Sequence, residues 1–132
     1  MAFTVFLQAA AFVCVAPYFH DGDNIRCGGR QMRLARIDAP ELGTGARRCI
    51  DGERPGFSGR CRGLTWGEES REHLRALVGR RQVTCTVVDA TPRVRGFQPT
   101  DRFGRPVVRC SAEGVGDLGE AQVRAGHARP WP

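Results

Sequence analysis

Apolar positions along the chain come in short runs separated by turn residues. Residues 12–18 (FVCVAPY) are β-prone, with Pro17 near the end of the run. His20-Asp21-Gly22-Asp23 is a turn, since Asp-Gly tolerates the positive φ of tight hairpins. Residues 24–27 read as a returning strand, Gly28-Gly29 as a second hairpin turn, and residues 31–37 (QMRLARI) as a third strand. Residues 42–64 are rich in Gly and Arg and show no period, which predicts a loop. A helix opens at Thr65. Glu68, Glu69 and Glu72 crowd its first turns, Arg75, Arg80 and Arg81 lie at or beyond its end, and Leu74, Leu77 and Val78 form its apolar stripe. Residues 82–88 (QVTCTVV) and 107–111 predict two further strands around a loop at 90–100. A short helix follows over 117–125, closed by Gly126. Five strands with helices after the third and fifth predict a mainly β fold with α, a small five-stranded closed barrel of the OB type with two short helices.

Composition sharpens this into one globular unit. The chain has 132 residues, 41% hydrophobic and 26% charged, which argues against wholesale disorder. All 20 basic side chains are Arg, so Schiff-base Lys chemistry, a Lys general base and a GxxxxGK phosphate loop are excluded. Arg stays protonated and offers a planar fork suited to oxyanions. The first 25 residues carry −2 and the remainder +8, giving the net +6. A basic body of this kind attracts polyanions, nucleic acid first and anionic membrane second.

The six cysteines stand at 14, 27, 49, 61, 85 and 110; the even count permits three disulfides in fifteen connectivities. None forms a CxxC pair and no His has zinc-finger spacing. Met1 to Ala16 is uncharged, mostly apolar and too short to span a bilayer. Residues 1–11 read as a signal-peptide remnant or N-terminal extension, with Ala9-Ala10-Ala11 as an A-x-A cleavage site, although no Arg precedes the apolar run. Cysteine number and Ala triplet favour export, to the periplasm or beyond the cell; six thiols in a reducing cytoplasm are the alternative.

Candidate chemistry lies in four acids near strand ends: Asp21, Asp23, Asp38 and Glu41. If the second and third strands pack side by side, Asp23 and Asp38 converge. Carboxylates without His or Cys suit a hard cation such as Ca²⁺ or Mg²⁺. Taken singly, each acid is an ordinary turn residue. Arg33 precedes Asp38 by five residues, and Asp101-Arg102-Phe103-Gly104-Arg105 brings a tight turn and another Arg before a strand. His73 and His127 read as surface groups, and Trp66 and Trp131 as packing residues.

HDGDNIR, MRLARIDAPE, TDRFGRPVV and GEAQVRAGHA, in this order, resemble the successive signatures of the staphylococcal nuclease-like (thermonuclease) family, over residues 12–132. The resemblance implies an OB-fold domain that hydrolyses DNA and/or RNA phosphodiesters with Ca²⁺; a monomer is expected, with no transmembrane segment. By the same resemblance Asp23, Asp38 and the Ala39 backbone carbonyl would ligate Ca²⁺. Glu41 would activate or position the attacking water, Arg33 and Arg105 would clamp the phosphate, Asp21 would support the metal loop, and Arg102 and Phe103 would contact substrate. The chain departs from the pattern at four positions. Asn24 and Ala39 stand where Thr is usual, and Phe103 replaces Tyr. Gln122 replaces an apolar residue, and a buried amide there destabilises the fold if unpaired. The chain also ends before the C-terminal helix of longer members, which shifts weight onto disulfides. By their positions on the expected elements, the cysteines pair 14–27, 49–61 and 85–110. The competing readings are a catalytically silent nucleic-acid- or protein-binding OB domain, and a polyanion or membrane-surface binder supported by charge alone.

Overall fold

The computed structural model describes residues 10–43 and 46–131. The leader reading of residues 1–11 falls almost wholly outside them. Among the described residues, eight short strands and two helices follow in the order β1 (Phe12–Val13), β2 (Asn24–Cys27), β3 (Arg30–Leu34), β4 (Ile37–Asp38), α1 (Trp66–Val78), β5 (Val83–Val87), β6 (Val107–Ala112), β7 (Gly116–Asp117), α2 (Leu118–Arg124) and β8 (Arg129–Pro130). The main sheet runs β1-β5-β6-β3-β2, with β7 added beside β6, and β4 pairs β8 in a second sheet. The β3–β6 pair is parallel and the other pairs are antiparallel.

This is a small α+β fold built on open mixed sheets, which corrects the expected closed five-stranded barrel. The ladder ends at β1 on one side and β2 on the other. The reason lies in the first apolar run. Ala16 takes a positive φ of 48° and Pro17 has no N–H, so the extended run stops after Val13. An isolated bridge, Tyr18 to Arg26, the Cys14–Cys27 disulfide and the Gly28 amide donating to the Val15 carbonyl at 2.7 Å tie this segment to β2 and its end, without a continuous ladder. The expected third strand is broken in the same way: Arg36, at φ 62°, turns the chain so that β4 leaves the main sheet for β8.

Elsewhere local signals act as expected. Gly28 and Gly29, at φ 57° and 81°, make the β2–β3 turn. Thr65 caps α1 in a reciprocal capping box with Glu68, an arrangement in which the cap alone contributes about 1 kcal/mol. Asp117 caps α2 through the Glu120 amide. Ile25, Leu34, Leu74, Val78, Val83, Val108 and Leu118 are fully buried between the sheet and the helices. Each such side chain stabilises the fold by roughly 1.5–3 kcal/mol.

All six cysteines are paired, 14 with 27, 49 with 61 and 85 with 110. The first and third disulfides lie in the main core, and Cys49 and Cys61 pack with Phe57 and Trp66 in a smaller cluster under the long loop. These disulfides are compatible with an oxidising, exported location. Among the described residues no helix is long and apolar enough to cross a membrane.

Candidate functional site

The register of the main sheet places β3 between β2 and β6. Arg33 on β3 lies opposite Asn24 of β2 on one side and Val107 of β6 on the other. The Arg33 amide donates to the Pro106 carbonyl at 2.9 Å, which brings the 101–105 turn against the Asp21–Asn24 turn. Two arginines distant in sequence thereby reach one place. Arg33 Nη1 pairs with Asp23 Oδ2 at 3.0 Å, and its Nη2 donates to the Ile37 carbonyl at 2.9 Å. Arg105 Nη1 donates to Asn24 Oδ1 at 3.0 Å, while its Nε donates to Asp101 Oδ2 at 2.8 Å. The Arg105 amide and guanidinium and the Phe103 amide outweigh burial and hold the Asp101 carboxyl below its ordinary range.

The acids are bound into the same network. Asp21 Oδ1 accepts from the Asp23 amide at 3.2 Å and from Asn24 Nδ2 at 2.7 Å. Asp23 Oδ1 accepts from Asn24 Nδ2 at 2.8 Å, and Asp23 Oδ2 accepts from the Ala39 amide at 2.9 Å. Burial, then the charge of Asp21, push the Asp23 carboxyl up to about 7, although Arg33 and the Ala39 amide pull it down. Desolvation and a like charge therefore outweigh one arginine.

The four acids do not close into a single cage. Asp38 turns to Arg129, which donates to its Oδ2 from Nε at 3.0 Å and Nη2 at 2.9 Å, because β4 pairs Asp38 with Arg129 on β8. Glu41 is exposed just beyond the buried Pro40. Its backbone is pressed onto the start of α1, where a Cβ at Gly67 would lie 2.5 Å from the Glu41 carbonyl oxygen. Among the described residues, the one trio of potential metal-ligand side chains within 4.8 Å of one another is Cys14, Cys27 and Cys85, all held in disulfides. The structure thus brings together Asp21, Asp23, the Ala39 backbone, Arg33 and Arg105, and leaves the Asp38 and Glu41 side chains apart from that network. Neither a protein-family model nor a curated protein matches the chain.

Phe103 is 68% exposed, and Arg102 and Arg105 lie over its ring at 4.8 and 5.4 Å. It is a surface ring rather than a packed one. Trp131 is exposed as well, whereas Trp66 is buried.

Several residues that shape the site were given no role in it by sequence. Asn24 bridges Asp21, Asp23 and Arg105. Asp101 anchors Arg105, and its place four residues earlier in a tight turn is the signal that points to it. Gln122 is fully buried on α2 and is paired, so the condition under which an amide there destabilises the fold is not met. Its Nε2 donates to the Gly22 carbonyl at 2.9 Å and the Ser70 carbonyl at 3.0 Å, and its Oε1 bonds His73 Nδ1. Gly22 is glycine for a different reason from a positive φ: its φ is not positive, and a side chain there would collide with Ser70 of α1 and meet Ala39. The turn thus rests directly on α1 and α2. His127 is buried rather than a surface group; its ring stacks on His73 with centroids 4.5 Å apart. Burial, His73 and Arg62 push its pKa down to about 4.

Proposed function

We propose that the chain is a metal-dependent phosphodiesterase, a Ca²⁺-dependent nuclease acting on DNA or RNA outside the reducing cytoplasm. One observation carries the reading: Arg33 and Arg105, from separate elements, reach the single acidic turn 21–24. The donor chemistry fits a hard cation, since Asp21, Asp23, Asp38 and Glu41 offer oxygen alone. Asp23, Asp38 and the Ala39 carbonyl would hold it, with Asp21 supporting the turn. For that, Asp23 and Asp38 must give up part of their pairing with Arg33 and Arg129. When bound, Ca²⁺ supplies polarisation of a phosphoryl oxygen and of water.

The chain's own groups do the rest. Released from Asp23, the Arg33 fork faces a phosphate oxygen, and Arg105, held by Asp101, faces a second. Both stabilise charge that grows on the equatorial oxygens as water displaces the leaving oxygen. Exposed Glu41 is free to accept a proton from, or orient, that water. Arg102 and Phe103 lie beside the turn and contact the substrate.

A catalytically silent nucleic-acid-binding or protein-binding domain is the second reading. It is favoured by the two ion pairs that neutralise Asp23 and Asp38. Incubating the protein with single-stranded DNA in Ca²⁺ or EGTA separates the two. The enzyme reading expects Ca²⁺-dependent cleavage, lost in Glu41→Gln and reduced in Arg33→Ala by roughly 3–4 kcal/mol of transition-state stabilisation, on the order of several hundredfold in rate. Binding without Ca²⁺-dependent cleavage by the unaltered chain overturns it.

A further inference from the structure

The loop between β5 and β6 carries chemistry that the site above does not use. Residues 91–100 are all exposed, and residues 90–100 contain Arg93, Arg95, Val94 and Phe97 with no acid among them. Val94 and Phe97 keep 54% and 47% of their surface in water. Among the described residues, neither arginine has a carboxylate partner.

The base of this loop is pinned. Asp89 Oδ1 accepts from the Thr91 amide at 3.1 Å and the Gln98 amide at 3.2 Å, and the Ala90 amide donates to the Gln98 carbonyl at 2.6 Å. The flanking acids are thereby occupied, Asp89 by loop amides and Asp101 by Arg105. Thr100 bridges to Pro106, so the loop rises directly beside the Arg102–Phe103–Arg105 turn. The exposed segment carrying Arg93, Arg95 and Phe97 thus leads along the chain into the turn that carries Arg102, Phe103 and Arg105.

We propose that loop 90–100 is a docking surface for single-stranded nucleic acid, its arginines on successive phosphates and Phe97 under an unstacked base. The inference rests on the nuclease reading for its substrate class. The chemistry selects a single strand, because an exposed ring offers a stacking face that a duplex, with its bases already stacked, does not use. Four arginines over residues 93–105 supply the complementary charge.

The test reads binding in EDTA, apart from cleavage, by fluorescence anisotropy of a short labelled single-stranded deoxyoligonucleotide across a salt series. Arg93→Ala/Arg95→Ala is expected to lower affinity and to reduce the slope of log affinity against log salt by about 1.4, at about 0.7 per phosphate contact. Phe97→Ala is expected to lower affinity at least about fivefold with the slope unchanged. Arg80→Ala/Arg81→Ala, the same charge change on exposed residues past the end of α1, is expected to leave binding within about twofold. The proposal is overturned if the two double variants behave alike, if Phe97→Ala binds as the unaltered chain does, or if a duplex of the same sequence binds more tightly. A chain that binds as expected yet never cleaves with Ca²⁺ supports the docking surface and removes only the enzyme assignment.

Discussion

Gln122→Leu tests what holds the acidic turn in place. The substitution keeps a side chain of similar length in a fully buried position and removes every polar contact it makes. Ser70 is little affected. Its carbonyl lies within α1, and its hydroxyl still donates to the His127 carbonyl at 2.6 Å. Two groups lose their partner: the Gly22 carbonyl, now 2.9 Å from Gln122 Nε2, and His73 Nδ1. An orphaned buried polar group costs about 1–3 kcal/mol, so the loss totals roughly 2–6 kcal/mol. Burying leucine in place of an amide returns about 1.5–3 kcal/mol. At matching ends of the two ranges the expected net destabilisation is about 0.5–3 kcal/mol, a fall of roughly 2–10 °C in the midpoint of thermal unfolding. Urea denaturation followed by circular dichroism measures it. A cycle with Ser70→Ala is expected to show a coupling of about 0.5 kcal/mol or more, because the two side chains share a contact at 3.2 Å. A Gln122→Leu protein as stable as the parent, or more so, would refute the argument. The amide would then be a tolerated polar residue in a site that prefers an apolar one, and the turn would owe its position to packing.

Two further outcomes follow from charges that the fold has placed. His127 is held neutral, with its pKa depressed to about 4 from an unfolded value of 6.5. The unfolded chain therefore takes up a proton that the native state refuses. The stability this neutrality supports is complete above pH 6.5 and is lost as pH falls towards 4, by on the order of 2–3 kcal/mol. His127→Phe is expected to flatten that part of the pH–stability curve, and superimposable curves for the variant and the parent would contradict it. Arg129→Ala frees the Asp38 carboxylate from a half-exposed ion pair, so stability should change by no more than about 1 kcal/mol. Ca²⁺ affinity, read by titration calorimetry, should rise severalfold; an unchanged or weaker affinity removes Asp38 from the ligand set.

Features written in adjacent residues were legible in the sequence. The Gly28-Gly29 turn, the Thr65 cap with its glutamates, the Asp117 start of α2 and the span of β2 depend on local torsions and on orphan amides at helix ends. The cysteine pairing was legible too, because Cys85 and Cys110 stand opposite each other once two neighbouring strands are aligned. What the sequence did not determine was how partners meet over long separations. Arg105 finds Asn24 across 81 residues, Arg129 finds Asp38 across 91, and Gln122 finds the Gly22 carbonyl across 100. Strands of two to six residues carry too little alternation to specify register, and a change of register moves each charge to another partner. The opening of the sheet is of the same kind. It turns on two exposed backbone positions, Ala16 and Arg36, whose positive φ values neither residue type favours alone. Sequence therefore determined which chemical groups were present and where turns and helices begin. Tertiary structure decided which carboxylates face an arginine and which stay free, because burial and register set those pairings.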